Sequence, residues 1–386
     1  MPMIEPVALS TLTTFRVGGV PAAMVASQTE QELVDEALVV WSLDEDWMLL
    51  AGGSNTVAGD EGFEGTVIRI VTRGIERLDA TQTADASAPD TVLLRVQAGE
   101  PWDELVAYTV AQGWAGIEAL SGIPGSCGAA PVQNIGAYGQ ELADSLVAIS
   151  FLDYETGEVV RLTADALGLD YRTSALKRGL RGIVLAIELE LHDTEREASV
   201  VGAVLGQPIH YGQLAGALGV QVGDRVALST VRETVLALRA AKGMVLDAAD
   251  SDTWSAGSFF TNPIVSENFA RSLPTALPRW PLAVEVPDRV IPLDDYFGVG
   301  PVPGIDQVQL VKLSAAWLIE NAGIRRGFSL PGSQAAVSSK HTLALTNRGG
   351  ASAEQIAELA RYVLGRVQAD FGINLQPEPV LVGLTL

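Results

Sequence analysis

The chain is poor in cysteine, histidine, basic residues and long apolar runs, and each shortage excludes something. One cysteine, Cys127, permits no intrachain disulfide and gives no sign of an oxidising compartment. Histidine occurs only at His192, His210 and His341. With no HExxH, no paired cysteines and no acidic loop of EF-hand spacing, no metal site is expected. Basic residues number 25 against 47 acidic ones, a net charge of −22. Such a surface repels nucleic acid and anionic lipid, so an anionic ligand has to be met by a local cluster of donors. No apolar run approaches the roughly 18 residues of a membrane span. The opening Met1-Pro2-Met3-Ile4-Glu5-Pro6 has neither a basic nor an apolar leader region, so no signal peptide is expected. The expectation is a soluble, cytoplasmic protein with no nucleic-acid or membrane partner.

Apolar residues are plentiful, at 48% of 386. That supplies a large core and, at about 150 residues per domain, two to three domains. Helix signals stand at the capping box Thr29-x-x-Glu32 with Leu33, Ala37 and Trp41 behind it, and at Pro101, placed as a first helical residue, through Gly113. Further signals are Thr230-x-x-Glu233 with Val231, Val235 and Leu238, the run Leu313 to Glu320 stopping near Gly323, and Ser352-x-x-Gln355 ahead of a long apolar stripe. Short runs rich in branched residues predict strands over 47–51, 66–70, 92–96, 146–153 and 183–191. In the last of these, Ile187 to Leu191 alternates apolar and acidic residues, which turns one face to water. The mixture reads as α+β in more than one layer. Residues 80–90 read as a hairpin tip. Residues 281–304, with five prolines and no helical period, read as an irregular insertion.

Two glycine-rich loops carry the first chemical signal. Strand 47–51 runs into Gly52-Gly53-Ser54-Asn55, where backbone N–H groups can approach a phosphate and two polar side chains can add donors. Alone, that string fits an ordinary tight turn equally well. It is not the G-x-G-x-x-G of a Rossmann fold. The second loop, residues 121–139, contains five glycines, three alanines and two prolines. So many small side chains suit a backbone packed against a large flat ligand, and a dinucleotide fits. A close-packed internal turn is the alternative. Cys127 has no neighbouring His or Lys to lower its pKa and reads as packing.

These strings, with others in the same order, resemble the UDP-N-acetylenolpyruvoylglucosamine reductases of peptidoglycan synthesis, in their longer type. Ile123-Pro124-Gly125 and Pro131 to Gly139 resemble that family's flavin loop, Thr13 to Gly19 its N-terminal strand, and Gly52 to Asn55 its first phosphate loop. Tyr171-Arg172-x-Ser174, Gly257-Ser258-Phe259-Phe260-x-Asn262-Pro263 and Leu375-x-Pro377-Glu378 resemble its catalytic motifs. The resemblance implies a two-subdomain FAD-binding domain of the vanillyl-alcohol-oxidase type with a separate α+β substrate-binding domain. The implied boundaries are 1–65 and 66–195 for the FAD subdomains and 196–240 for a connecting segment carrying Tyr211. They continue with 241–372 for the substrate-binding domain, including the insertion 281–304, and 373–386 for a tail that returns Glu378 to the site. FAD is expected to be non-covalent, since no histidine lies in a glycine loop, with contacts from Gly52, Gly53, Ser54, Asn55, Gly122, Ile123, Pro124, Ser126, Gly128, Ala129, Asn134, Gly136, Ala137 and Gly139.

The implied reaction reduces UDP-N-acetylglucosamine enolpyruvate with NADPH as hydride donor, the hydride passing through the flavin N5 to the enolpyruvyl β-carbon. Charge then moves into the substrate carboxylate, and a fixed cation there favours the transition state. Arg172 supplies a forked cation. Glu378 helps either as a protonated acid or by orienting Arg172. Ser258 is implied as the acid that protonates the α-carbon; no Ser-His-Asp arrangement can be assembled around it. Tyr171, Tyr211 and Lys242 are implied substrate contacts, and Asn262 is implied either to hold its loop or to touch the substrate diphosphate. A second family tyrosine has no counterpart, and Trp280 is the ring expected in its place. The chain is expected to act as a monomer. Another flavin oxidase or dehydrogenase of the same superfamily, or a binding protein that kept the loops and lost the chemistry, are the competing expectations.

Overall fold

A computed structural model of the chain describes residues 4–78, 90–282 and 309–386. The first layer is a three-stranded parallel sheet in the order Ala23–Ser27, Thr66–Ile70, Trp47–Leu50. Helix Glu30–Ser42 crosses over it. Thr29 accepts from the Glu32 N–H while the Glu32 carboxylate accepts from the Thr29 N–H, closing the expected capping box. Leu33, Ala37 and Val40 form its buried stripe against Val25 and Ile68. Thr66–Ile70, expected to open the second subdomain, is instead the central strand of this first sheet. The boundary at 65/66 is thereby corrected, because the strand's hydrogen bonds run to 23–27 and 47–50.

The second layer is antiparallel, in the order Val159–Thr163, Leu146–Asp153, Gly182–Asp193, Thr91–Gln97, Ile75–Leu78. In Gly182–Asp193 the residues Ile187, Leu189 and Leu191 are buried while Glu188 and Glu190 are partly exposed, as the alternation implies. Helix Trp102–Gln112 buries Trp102, Leu105 and Val106 in this sheet's core. Pro101 is its N-cap rather than its first residue, and Gly113 ends it at φ +76°. The two sheets share a core where Leu152, Ile183 and Leu185 meet the first layer.

Helices Gly212–Leu218 and Leu228–Ala241 bridge to the rest of the chain. The second opens two residues before Thr230. Ala227 is its N-cap, with no side-chain cap, because the Leu228 N–H donates to the Val204 carbonyl and sets the start from outside the helix. The C-terminal half builds a small antiparallel sheet from Ile264–Ser266, Leu310–Leu313 and Arg279–Pro281, a hairpin from Ala335–Val337 and Leu345–Asn347, and helices Ala315–Asn321 and Ala353–Phe371. Leu313, expected in a helix, ends a strand, and Ser314 caps the helix that follows. Ser352 caps the long helix through the Gln355 N–H, as its motif predicts. Apart from Asp90 and from Pro281 and Leu282, the expected hairpin tip and insertion lie outside the described residues. The tail strand Val380–Val382 runs back to pair in parallel with Thr56–Ala58, directly after the first glycine loop.

Candidate active site

The two glycine loops face each other across one cavity of about 450 Å³, a size suited to a cofactor. Their backbones touch. A Cβ on Gly52 would lie 2.7 Å from the Gly125 Cα, and one on Gly53, at φ +57°, would lie 2.0 Å from the Leu12 carbonyl oxygen. Ser54 Oγ donates to the Pro124 carbonyl at 3.0 Å and ties loop to loop. Ser126 Oγ and Arg239 Nε, both in residues of the cavity wall, are buried with no partner among the described residues. A backbone cradle with two unsatisfied donors fits an anionic, hydrogen-bonding dinucleotide. Of the expected cofactor contacts, Gly52, Gly53, Ser54, Asn55, Ile123, Pro124, Ser126, Gly128, Ala129 and Gly136 line the cavity.

Four do not line it. Gly122 packs against Leu236 and Val245, its N–H donating to Asp103. Asn134 spends its side chain on Glu141, the Asp170 carbonyl and the Ala143 N–H. Ala137 sits in a two-residue hairpin strand, and Gly139 lies under His210 and Tyr211. Cys127 is fully buried, and burial pushes its thiol well above the ordinary value, which suits packing.

Arg172, Ser258 and Glu378 open onto the same cavity. Arg172 has φ +53°, and its guanidinium donates to the Asn134 carbonyl at 3.2 Å and the Gly136 carbonyl at 2.7 Å. The rear of the second glycine loop therefore aims the cation. Arg172 Nε stands 3.7 Å from Glu378 Oε1, which also accepts from Gln133 Nε2 at 3.1 Å. Burial raises the Glu378 carboxyl above the usual carboxylate range, opposed by the charges of Arg172 and Lys177.

Two backbone bonds and one side-chain bond stitch the tail in place. The Glu378 N–H donates to the Phe259 carbonyl at 2.9 Å, Asn55 Nδ2 donates to the Glu378 carbonyl at 3.2 Å, and the Val380 N–H donates to the Asn55 carbonyl at 2.8 Å. Cofactor loop, serine loop and acid are thus held together, with Phe259 and Phe260 buried behind the serine.

The expected substrate contacts flank the cavity without lining it. On one side Lys242 Nζ lies 5.5 Å from the Tyr138 ring centroid and donates to Gln213, while Tyr211 meets Tyr138 edge to face at 5.9 Å. On the other, Lys312 Nζ lies 4.4 Å from the Tyr171 ring centroid, and Asn262 Oδ1 accepts from the Ala315 N–H at 3.0 Å. Trp280 is the cross-strand partner of Lys312 and about half exposed.

The sequence reading missed Arg239, Gln133, Tyr138 and Lys312. Arg239 precedes Lys242 by three residues at the end of one helix, a spacing that places both at the same end. Its burial holds the guanidinium down at about 10. Arg172, Arg239 and Lys242 lie near enough to repel one another's charge, a local concentration of cations on a chain of net charge −22. Among the described residues no group of three or more His, Cys, Asp or Glu is placed to hold a metal, and no helix is long and apolar enough to cross a membrane.

Residues 21–163, which contain both glycine loops, match the profile of an FAD binding domain. Residues 249–382 match that of the C-terminal domain of UDP-N-acetylenolpyruvoylglucosamine reductase. The protein of that name from Leifsonia xyli subsp. xyli is 61% identical over all of both chains. The chain belongs to the UDP-N-acetylenolpyruvoylglucosamine reductase family. A family member from Saccharopolyspora erythraea is 46% identical, covering 98% of this chain and 95% of its own. The crystal structure of the UDP-N-acetylenolpyruvylglucosamine reductase from Thermus caldophilus shares the fold, with a TM-score of 0.60 at 24% identity over 98% of this chain and 99% of that one.

Proposed function

We propose that Arg172, Ser258 and Glu378 perform the reductase chemistry in this cavity. The protein is an FAD-dependent oxidoreductase of peptidoglycan precursor synthesis that uses NADPH to reduce UDP-N-acetylglucosamine enolpyruvate to UDP-N-acetylmuramate. When bound, FAD supplies hydride carriage between NADPH and the enolpyruvyl β-carbon. The protein's own work is to bind, orient and move one proton.

As the β-carbon is reduced, negative charge grows on the substrate carboxylate. Arg172, pre-aimed by the Asn134 and Gly136 carbonyls, meets that charge without reorganising. Glu378, 3.7 Å from Arg172 and with its carboxyl raised by burial, supports the same charge either by orienting Arg172 or, when protonated, by donating a hydrogen bond. Ser258 delivers the proton to the α-carbon; a hydroxyl is a weak acid, but an enolate carbon is basic enough to take it. Lys242 and Tyr211 on one flank, and Tyr171, Asn262 and Trp280 on the other, hold the nucleotide sugar. A monomer working in the cytoplasm completes the proposal.

The observation that carries it is the convergence of Arg172, Glu378 and Ser258, from three distant stretches of chain, on the one cavity bounded by both glycine loops. The test is an anaerobic titration of the yellow protein, first with NADPH and then with the enolpyruvyl sugar. Bleaching followed by stoichiometric recovery of the flavin band is expected. A reduced flavin that ignores the sugar would refute the proposed substrate.

A further inference from the structure

The serine loop is held from two directions. Downstream of Ser258, the Phe259 N–H donates to the Leu343 carbonyl, and the Phe259 carbonyl accepts from Glu378. Upstream lies Gly257 at φ +70°, with no atom within 4 Å of where a Cβ would stand. Such a residue resists rotation only weakly, so the placement of the Ser258 hydroxyl depends on what anchors the chain before it.

One such anchor is Thr14, beside the Ser255 N–H, which donates to the Thr253 carbonyl at 2.9 Å, and the Trp254 carbonyl, which accepts from the Asn347 N–H at 3.0 Å. Thr14 Oγ1 donates to the Ser255 carbonyl at 2.6 Å, inside the protein, and Ser255 Oγ in turn accepts from the Gly257 N–H at 3.2 Å. The Thr14 N–H donates to the carbonyl of Gly53, the second glycine of the cofactor loop, at 3.1 Å. One residue therefore spans the cofactor loop and the serine loop, which lie more than 200 positions apart. Thr14 is 7% exposed and lines neither the cavity nor either flank. The Ser54 carbonyl is a weaker alternative acceptor at 3.4 Å, and the single hydroxyl proton serves the shorter bond.

We infer that Thr14 is a positioning residue that fixes the Ser258 hydroxyl relative to the cofactor loop, and so governs the protonation step without touching substrate or flavin. The inference rests on the role proposed for Ser258. A valine at 14 keeps the shape and the backbone bond to Gly53 but removes the bond to Ser255. The loss frees the Ser255 carbonyl, so the segment leading to Gly257 is held by fewer bonds and the acid shifts off its line. A misplacement of about 1 Å at a reacting group slows a step by up to ~10²-fold.

The test uses the FAD-loaded holoenzyme and anaerobic stopped-flow absorbance on Thr14→Val, Thr14→Ser and Ser258→Ala. Thr14→Val is expected to retain FAD and be reduced by NADPH at the wild-type rate. Its reoxidation by the enolpyruvyl sugar is expected to slow by ~10–10²-fold with a larger solvent deuterium effect. Thr14→Ser, which keeps the hydroxyl, restores most of the rate. Unchanged reoxidation, equal slowing of both half-reactions, or loss of FAD from Thr14→Val would each overturn the inference; the last would make Thr14 an anchor of the cofactor loop alone. Should Thr14→Val prove insoluble, Thr14→Ala is read by the same outcomes. Ser258→Ala separates the two layers. If it leaves reoxidation intact, the role of Ser258 itself fails. If it slows reoxidation while Thr14→Val does not, only the role of Thr14 fails.

Discussion

Replacing Arg239 by methionine should keep or strengthen the stability of the flavin-free protein and weaken its hold on FAD, two separable effects from one side chain. The guanidinium lies in the cavity wall, with Nε unpartnered and one Nη donating to the Met244 carbonyl at 3.0 Å. Burial lowers its pKa from the ordinary arginine value to about 10; Asp103 favours its charge, and Arg172 opposes it. That fall corresponds to roughly 3 kcal/mol against the charged form. Methionine is similar in length, removes that penalty and gives up one charge-assisted hydrogen bond worth about 1.5–3 kcal/mol, so the balance lies at or above zero. The flavin-free variant should therefore unfold at equal or higher denaturant. Against an anionic cofactor the balance reverses. A charge-assisted bond contributes about 1.5–3 kcal/mol, so FAD affinity should fall by ~10–10²-fold. Chemical denaturation of the flavin-free protein and a flavin-fluorescence titration read the two quantities separately. If Arg239→Met lowered stability and left FAD affinity unchanged, Arg239 would be a tie for the Met244 loop and the cofactor assignment would fall. A variant that instead raised only the KM for the nucleotide sugar would move Arg239 to the substrate.

Lys242→Ala should raise the KM for the nucleotide sugar more than it lowers kcat, since Lys242 stands beside Tyr138 and Tyr211 at the flank; a collapsed kcat at constant KM would place it in the chemistry. Because the Glu378 carboxyl is raised, it keeps its proton to higher pH than an ordinary carboxyl and loses it as pH climbs through that raised value. Reoxidation by substrate should fall along that limb, and Glu378→Gln, neutral throughout, should flatten it; a limb that persists in the variant would assign the titration elsewhere. His341 is held down to about 4 by burial first, then by the charges of Lys242 and Arg326, so the fold favours its neutral form. Its contribution is complete above the ordinary value near 6.5 and is lost as pH falls toward about 4, roughly 3 kcal/mol at most. Denaturation midpoints of His341→Gln between those limits should fall less steeply than wild type, and parallel curves would show that other groups set the acid limb.

The local features of this chain were legible because their causes are local. Thr29 and Ser352 cap the helices behind them because a hydroxyl and the N–H three residues on meet within one turn, whatever surrounds them. The alternation at 187–191 and the smallness of residues 121–139 likewise carry their meaning in the chain itself, and the order of the motifs was enough for the family. Where a boundary depended on a distant partner, local pattern misled. The Thr230 helix begins at Leu228 because Val204 accepts its first N–H, and Leu313 is a strand residue because Arg279 pairs with it. Thr66–Ile70 could be read as a strand, but only its hydrogen bonds to 23–27 and 47–50 decided which sheet it joins. The site divides the same way. The sequence named Arg172, Ser258 and Glu378, yet left Glu378 open between a protonated acid and a charged orienter of Arg172. Tertiary structure supplies only what shifts that carboxyl, burial raising it against the charges of Arg172 and Lys177, because desolvation and neighbours do not exist until the tail strand Val380–Val382 docks beside Thr56–Ala58 and draws Glu378 into the wall of the cavity.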